Sequence, residues 1–357
     1  MFKCRLVMRE NGRSMLQNFW YLALPGHCVK TGQMLPKTLF GQPLLLARQK
    51  DGTPFAFQNI CPHRGIPLHY GTFDGCEVTC CYHGWKFAPD GHCTEIPSLF
   101  SEQDLEVSRI KVRTYPCREV QGNIWVFFGE KHRAGQVDIP DVPWMDDVED
   151  SRPIFEIRQH FPCDSDHAAF GLMDPTHAAF VHTSWWWKKR ARKLREKEKD
   201  FEPVPLGWRM KRHPLPPQNR IYKLFGSDVT TEITYQLPGL RIEHIKGNRH
   251  FAVGLTAITP ITPTETEIHY CLYSSISWLV LVRPLLCYLA NIFLGQDRDV
   301  VIKQQEGLRH DPALMLIDDA DTQAKWYRRL KREWIQSLEE GRSFVNPLKG
   351  KTLRWRS

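Results

Sequence analysis

A chain of 357 residues with 42% hydrophobic and 25% charged side chains is long enough for two domains with separate cores and does not read as disordered on a large scale. The 25 Pro and 23 Gly point to many turns and a strand-rich architecture. A net charge of +8 without a recognised binding motif argues against nucleic acid as a partner.

Residues 1–17 read as an N-terminal segment. Its opening MFKCRLVMRENGRSM lacks the apolar core of a signal peptide, so a cytoplasmic protein is expected. The 11 Cys, an odd number, then fit reduced thiols and metal ligands better than a disulfide framework. Residues 18–131 are short apolar runs such as PLLLA and GNIWVFFGE, cut by Asp51-Gly52, Asp74-Gly75 and Asp90-Gly91. Asp-Gly is a hairpin turn signal, and antiparallel sheet is predicted.

A second domain, 132–357, begins with the connection DIPDVPWMDDVEDSRP at 138–153. Asp164–Val181 reads as helix. Alternating runs follow, with Ile233, Tyr235 and Leu237 on one side and Ile268, Tyr270 and Leu272 on another, the pattern of a half-buried antiparallel sheet. The basic run 188–200, directly after Trp185–Trp187, reads as a solvated surface segment. The apolar stretch from Ile276 to Gly295 is broken by Arg283 and Pro284, so a buried helix starting near Pro284 is expected rather than a membrane span, and membrane contact is not expected. Charged helical sequence covers 296–308 and runs from Asp318 to about Leu338, making the second domain α+β.

Cys61-x-His63 and Cys80-x-x-His83 offer two thiolates and two imidazoles from two loops. That set suits zinc or a [2Fe–2S] cluster. Structural zinc sites usually pair two Cys on one knuckle, whereas one Cys and one His per loop lets the Cys hold one iron and the His the other. Cys76, Cys81 and Cys93 read as packing residues beside a complete ligand set.

The pair of motifs resembles the cluster-binding loops of Rieske proteins. Ile66 and Tyr82 occupy the places where cytochrome bc-type members carry a disulfide, so the likeness is to the oxygenase and ferredoxin branch. Further on, Asp174-x-x-His177-x-x-x-x-His182 puts its two His about 140° apart on an ideal helix. They converge only if the helix loosens or ends before His182. The motif resembles the mononuclear iron site of Rieske non-haem iron oxygenases, in which many members have Asn where this chain has Phe170 and Gly171.

An O₂-activating iron(II) centre normally has two His and one carboxylate. The resemblance places the carboxylate in FLGQDRDVVIKQQEGL, and the spacing to Gln305 favours Asp297 over Asp299. It further implies a Rieske β-domain followed by a helix-grip (START-like) catalytic domain, and NAD(P)H delivered through a reductase with or without a ferredoxin. A homotrimer is implied too, in which Asp174 links His177 to a Rieske His of a neighbouring subunit. The implied reaction is hydroxylation or oxidative demethylation of a small apolar substrate. A non-catalytic Rieske electron carrier or a zinc-bound interaction module is the alternative.

Overall fold

All three Asp-Gly pairs reverse the chain as predicted. Gly52, Gly75 and Gly91 each have φ of 90°, and the preceding carboxylates accept from backbone N–H groups two residues on: Thr53 at 2.8 Å, Cys76 at 2.7 Å and His92 at 3.1 Å. Asp caps the turn while Gly supplies the left-handed backbone. The structure, a computed structural model, describes residues 15–100, 102–140, 142, 151–182, 194–215 and 220–357. The N-terminal segment up to residue 14, Trp185–Trp187 and the basic run as far as residue 193 lie outside the described residues, as does most of the 138–153 connection.

The chain forms two compact units, one containing Gln17–Asp141 and the other Arg152–Ser357. In the first, antiparallel hairpins make a three-stranded sheet (Phe19–Pro25, Asn123–Phe128, Cys117–Val120) and two four-stranded sheets. One four-stranded sheet is Met34–Leu39, Gln42–Arg48, Pro54–Gln58 and Thr114–Tyr115; the other is Thr72–Phe73, Val78–Thr79, Lys86–Phe87 and Cys93–Glu95. Leu45, Phe57, Leu68, Val78 and Phe87 form one core with Cys61, Cys80 and Cys93. Cys93 is the packing residue expected, but Cys76 and Cys81 are exposed. They sit on turn and loop tips, where the side chain points to water.

The second unit is built on an eight-stranded antiparallel sheet. Its order is Phe155–Phe161, Glu265–Ser274, Phe251–Thr262, Leu240–Lys246, Thr230–Gln236, Gly207–Pro214, Glu196–Val204 and Lys351–Arg356. The alternating runs anticipated this sheet, but not its charged edge. Glu196–Val204 opens on five consecutive ionic side chains and Lys351–Arg356 carries Lys351, Arg354 and Arg356; ionic side chains pair across these strands, as Arg354 does with Glu198 at 2.6 Å.

Among the described residues four α-helices accompany the sheet: α1 (Ser165–Met173), α2 (Ala178–Val181), α3 (Arg283–Leu308) and α4 (Thr322–Glu339). Two expectations need correction. The helix predicted over 164–181 is two helices. The stretch after Pro284 and the charged 296–308 segment are one continuous helix, α3, along which only Val301 is buried. Its inner face, Leu286, Cys287, Ala290 and Leu294, does pack against Phe155, Ile157 and Tyr270 of the sheet.

Candidate active site

The two Cys/His loops share one backbone design. In the first, Cys61 N–H donates to Ile66 O at 2.8 Å and Gly65 N–H to Cys61 O at 2.9 Å; in the second, Cys80 N–H donates to Trp85 O at 2.8 Å and Gly84 N–H to Cys80 O at 3.0 Å. Gly65 and Gly84 have φ of 76° and 71°, a left-handed turn that any side chain would strain. Each loop therefore holds its Cys at the base and lifts its His to the tip.

Cys61 and Cys80 are 2% and 3% exposed. Burial, with the neighbouring Cys80 sulfur, pushes the Cys61 thiol up to about 11 against the pull of the His63 and Arg64 amides. The His63 and His83 rings lie 4.5 Å apart, and His63 stacks on Trp85 at 4.5 Å and 6°. Desolvation, then His63 and Arg64, hold His83 below the usual imidazole range. His63 Nδ1 is buried without a hydrogen-bond partner among the described residues. Two buried thiols, an adjacent pair of imidazoles and backbone amides aimed at the Cys61 sulfur fit an iron–sulfur group.

In the second unit Pro175 decides the geometry. Asp164 caps α1, its Oδ1 accepting from the backbone of Asp166 and His167, both at 3.0 Å. The residue before a proline is pushed out of the helical region, and Asp174 sits at φ −69°, ψ 117°. Asp174 Oδ1 then accepts from Thr176 N–H at 2.7 Å and Thr176 Oγ1 at 2.6 Å. The chain restarts at His177 for the single turn of α2 and leaves it at His182, whose ψ is 87°. The end of α2 at His182 thus lets two His approach that a continued regular helix would separate.

α3 closes the site with one face. Phe293 stacks on the His182 ring at 3.6 Å and 19°, and Gln296 Oε1 lies 3.2 Å from His182 Nδ1. Asp297 Oδ1 lies 3.5 Å from His177 Nε2 and 3.6 Å from His182 Nε2. On the other side of its ring, His177 Nδ1 donates to the Asp174 carbonyl at 2.8 Å, while the Asp174 carboxylate stays 3.7 Å away. Ligand atoms of His177, His182 and Asp297 all lie within 4.8 Å of one another. Asp299, about 200° further round the helix, is exposed and outside this group.

The electrostatics suit a cation. Burial drops His182 to about 4, so its ring is neutral with a free lone pair. Burial also raises the Asp297 carboxyl to about 6, opposed by His177 and by Arg241. Arg241 reaches Glu243 at 2.8 Å and lies 6.0 Å from the Tyr235 ring centre. Three contributors therefore escaped sequence reasoning: Phe293, Gln296 and Arg241. The first could have been found from its i, i+4 spacing to Asp297; Arg241 is brought in by the sheet and has no local signal. Further out, Lys331 of α4 grips Asp166 of α1 at 2.7 Å through both oxygens, and Tyr327 adds a 3.0 Å bond. Breaking such a mostly buried pair costs ~3–5 kcal/mol, so α1 is firmly anchored at its first turn.

Comparison with known proteins places these two sites in separate families of domain. Residues 19–116 match the Rieske [2Fe–2S] domain, and residues 170–337 the vanillate O-demethylase oxygenase C-terminal domain. The oxygenase component of chloroacetanilide N-alkylformylase from Rhizorhabdus wittichii is 31% identical over 71% of this chain and 75% of its own. Chlorophyllide a oxygenase of Arabidopsis thaliana is 32% identical over 48% of this chain and 30% of its own. The chain matches between a quarter and just under a half of the length of several curated relatives, that plant protein among them. Among solved structures, a variant of NdmA from Pseudomonas putida CBB5 with theobromine superposes with a TM-score of 0.71 at 18% identity, covering 93% of this chain and 94% of that one, and so shares the fold.

Proposed function

The chain belongs to the Rieske oxygenases, and from that premise we propose that it is the oxygenase component of a system that uses O₂ and NAD(P)H-derived electrons to hydroxylate or oxidatively demethylate a small apolar substrate. The observation that carries the reading is the convergence of His177, His182 and Asp297, in a unit separate from the Cys61/His63/Cys80/His83 loops. The loop residues would hold a [2Fe–2S] cluster and the triad an iron(II) ion. When bound, these groups supply stored electrons and O₂ activation.

The protein's own part is orientation. The Asp174 carbonyl and Gln296 Oε1 each accept from a His Nδ1–H, which turns both Nε2 lone pairs toward Asp297 and fixes the tautomers. Phe293 holds the His182 ring in plane. Relatives named for a chloroacetanilide and for chlorophyllide a support an apolar substrate. A reductase, with or without a ferredoxin, a homotrimeric assembly and a cytoplasmic location complete the proposal. The test is composition: purified protein should contain iron and acid-labile sulfide, and dithionite should produce a reduced-cluster paramagnetic signal. Zinc without sulfide would leave only an interaction module.

Asp174 is proposed to bridge His177 and His83 of a neighbouring subunit. Asn in its place retains an oxygen for the Thr176 bonds and removes only the charge. Asp174→Asn should therefore keep both metals yet slow reoxidation of the reduced cluster by about 10–100-fold, the usual penalty for losing an outer hydrogen-bonding partner. Stopped-flow absorbance with substrate and O₂ measures it, and a wild-type rate would remove Asp174 from the path.

A further inference from the structure

One helix carries the triad carboxylate at one end and an exposed apolar surface at the other. The 3-10 segment Ser277–Val282 runs directly into α3. Trp278 is 50% exposed, Leu281 83%, Leu285 56% and Tyr288 63%. From Ser274 to Gln296 the only ionisable side chains apart from Tyr288 and Cys287 belong to Arg283, and there is no carboxylate. Because the inner face is apolar as well, this half-helix is apolar all round, which in a folded protein means full burial or contact with lipid. It is not buried, and no described element covers its outer face.

Cations stand near its start. Lys246 and Arg249 are exposed on the hairpin whose Phe251 is hydrogen-bonded to Ser275, and exposed Lys223 belongs to the turn whose Phe225 carbonyl accepts from Arg249 at 3.2 Å. Asp228 is the opposing exposed charge there. Arg283 itself bonds Glu156 at 2.8 Å. That bond, the packing of the inner face on the sheet and the place of Asp297 in the triad tie the helix to its domain along its length. It cannot cross a bilayer as a free span, although its length and composition would allow one.

We propose that Ser277–Val282 and the first half of α3 dock the protein on the interfacial layer of an anionic phospholipid membrane. Trp and Tyr favour that layer, leucines enter the acyl boundary, and the nearby cations attract anionic headgroups. The same cations would repel each other across a two-fold contact between copies, which favours lipid over a second chain. Asp297 lies twelve residues beyond Leu285, roughly 18 Å along the helix. An apolar compound dissolved in the membrane would then meet the protein at the outer end of the helix that completes the triad.

The test uses the full chain with vesicles of phosphatidylcholine alone and of phosphatidylcholine with phosphatidylglycerol. The protein should sediment with the anionic vesicles and less so in high salt, and Leu281→Asp/Leu285→Asp should weaken binding by about tenfold or more with sulfide content and oligomeric state unchanged. Brominated lipids should quench Trp fluorescence, and Trp278→Phe should remove most of that quenching, which decides the matter even if the double variant misfolds. Failure of the wild type to bind vesicles, or unchanged binding by a folded double variant, overturns the proposal. So does dissociation of an oligomer by that variant, which would assign the face to another copy.

Discussion

Asp297→Asn is expected to abolish turnover while leaving the Rieske spectrum intact. The carboxylate faces both His Nε2 atoms at 3.5 and 3.6 Å, and it is the only anion in the group. An amide of the same shape keeps the packing on α3 but offers a neutral, weak donor where iron(II) sites use a carboxylate. Iron should fall by the mononuclear equivalent with acid-labile sulfide unchanged, and activity should drop further than the ~10–100-fold typical of outer partners. Asp299→Asn, on the exposed side of the helix, should stay within about twofold of wild type, as surface substitutions do. Metal and sulfide analysis of the two variants side by side would decide: full iron in Asp297→Asn with loss in Asp299→Asn would shift the ligand by two residues.

Cys80→Ser should remove the visible cluster spectrum and most of the sulfide. The loop's shape rests on backbone bonds from Cys80 and Gly84, which serine leaves in place, so the loss would report the ligand and not the fold. A hydroxyl is a harder donor than thiolate and a poor match for iron–sulfur chemistry. Retention of colour and of sulfide with unchanged thermal stability would mean that the group is held elsewhere. Cys81→Ser, at the exposed neighbouring position, is the control expected to behave as wild type.

What the sequence alone determined is local. A turn is decided by its own residues, so Asp-Gly placed three hairpins, and the Cys-x-His and Cys-x-x-His spacings with Gly65 and Gly84 marked the cluster loops. Alternation placed the central strands, because period-two burial needs no knowledge of the partner. Even the end of the helix before His182 was foreseeable, since His177 and His182 cannot meet on an intact helix. Tertiary structure decided everything that depends on what lies opposite. It put Asp297 rather than Asp299 beside the two His, since two residues on a helix differ by more than half a turn and only the sheet beneath fixes which side faces in. Phe293 and Gln296 joined the site because α3 crosses there, and Arg241 because the sheet brings its strand Leu240–Lys246 to the same place. Lys351–Arg356 became a strand by pairing with Glu196–Val204, which in turn pairs with Gly207–Pro214. The apolar run after Ile276 carries no mark of whether its neighbours cover it. Hydrophobicity records a preference for leaving water, and only the fold shows that half of this helix is left uncovered by the described residues.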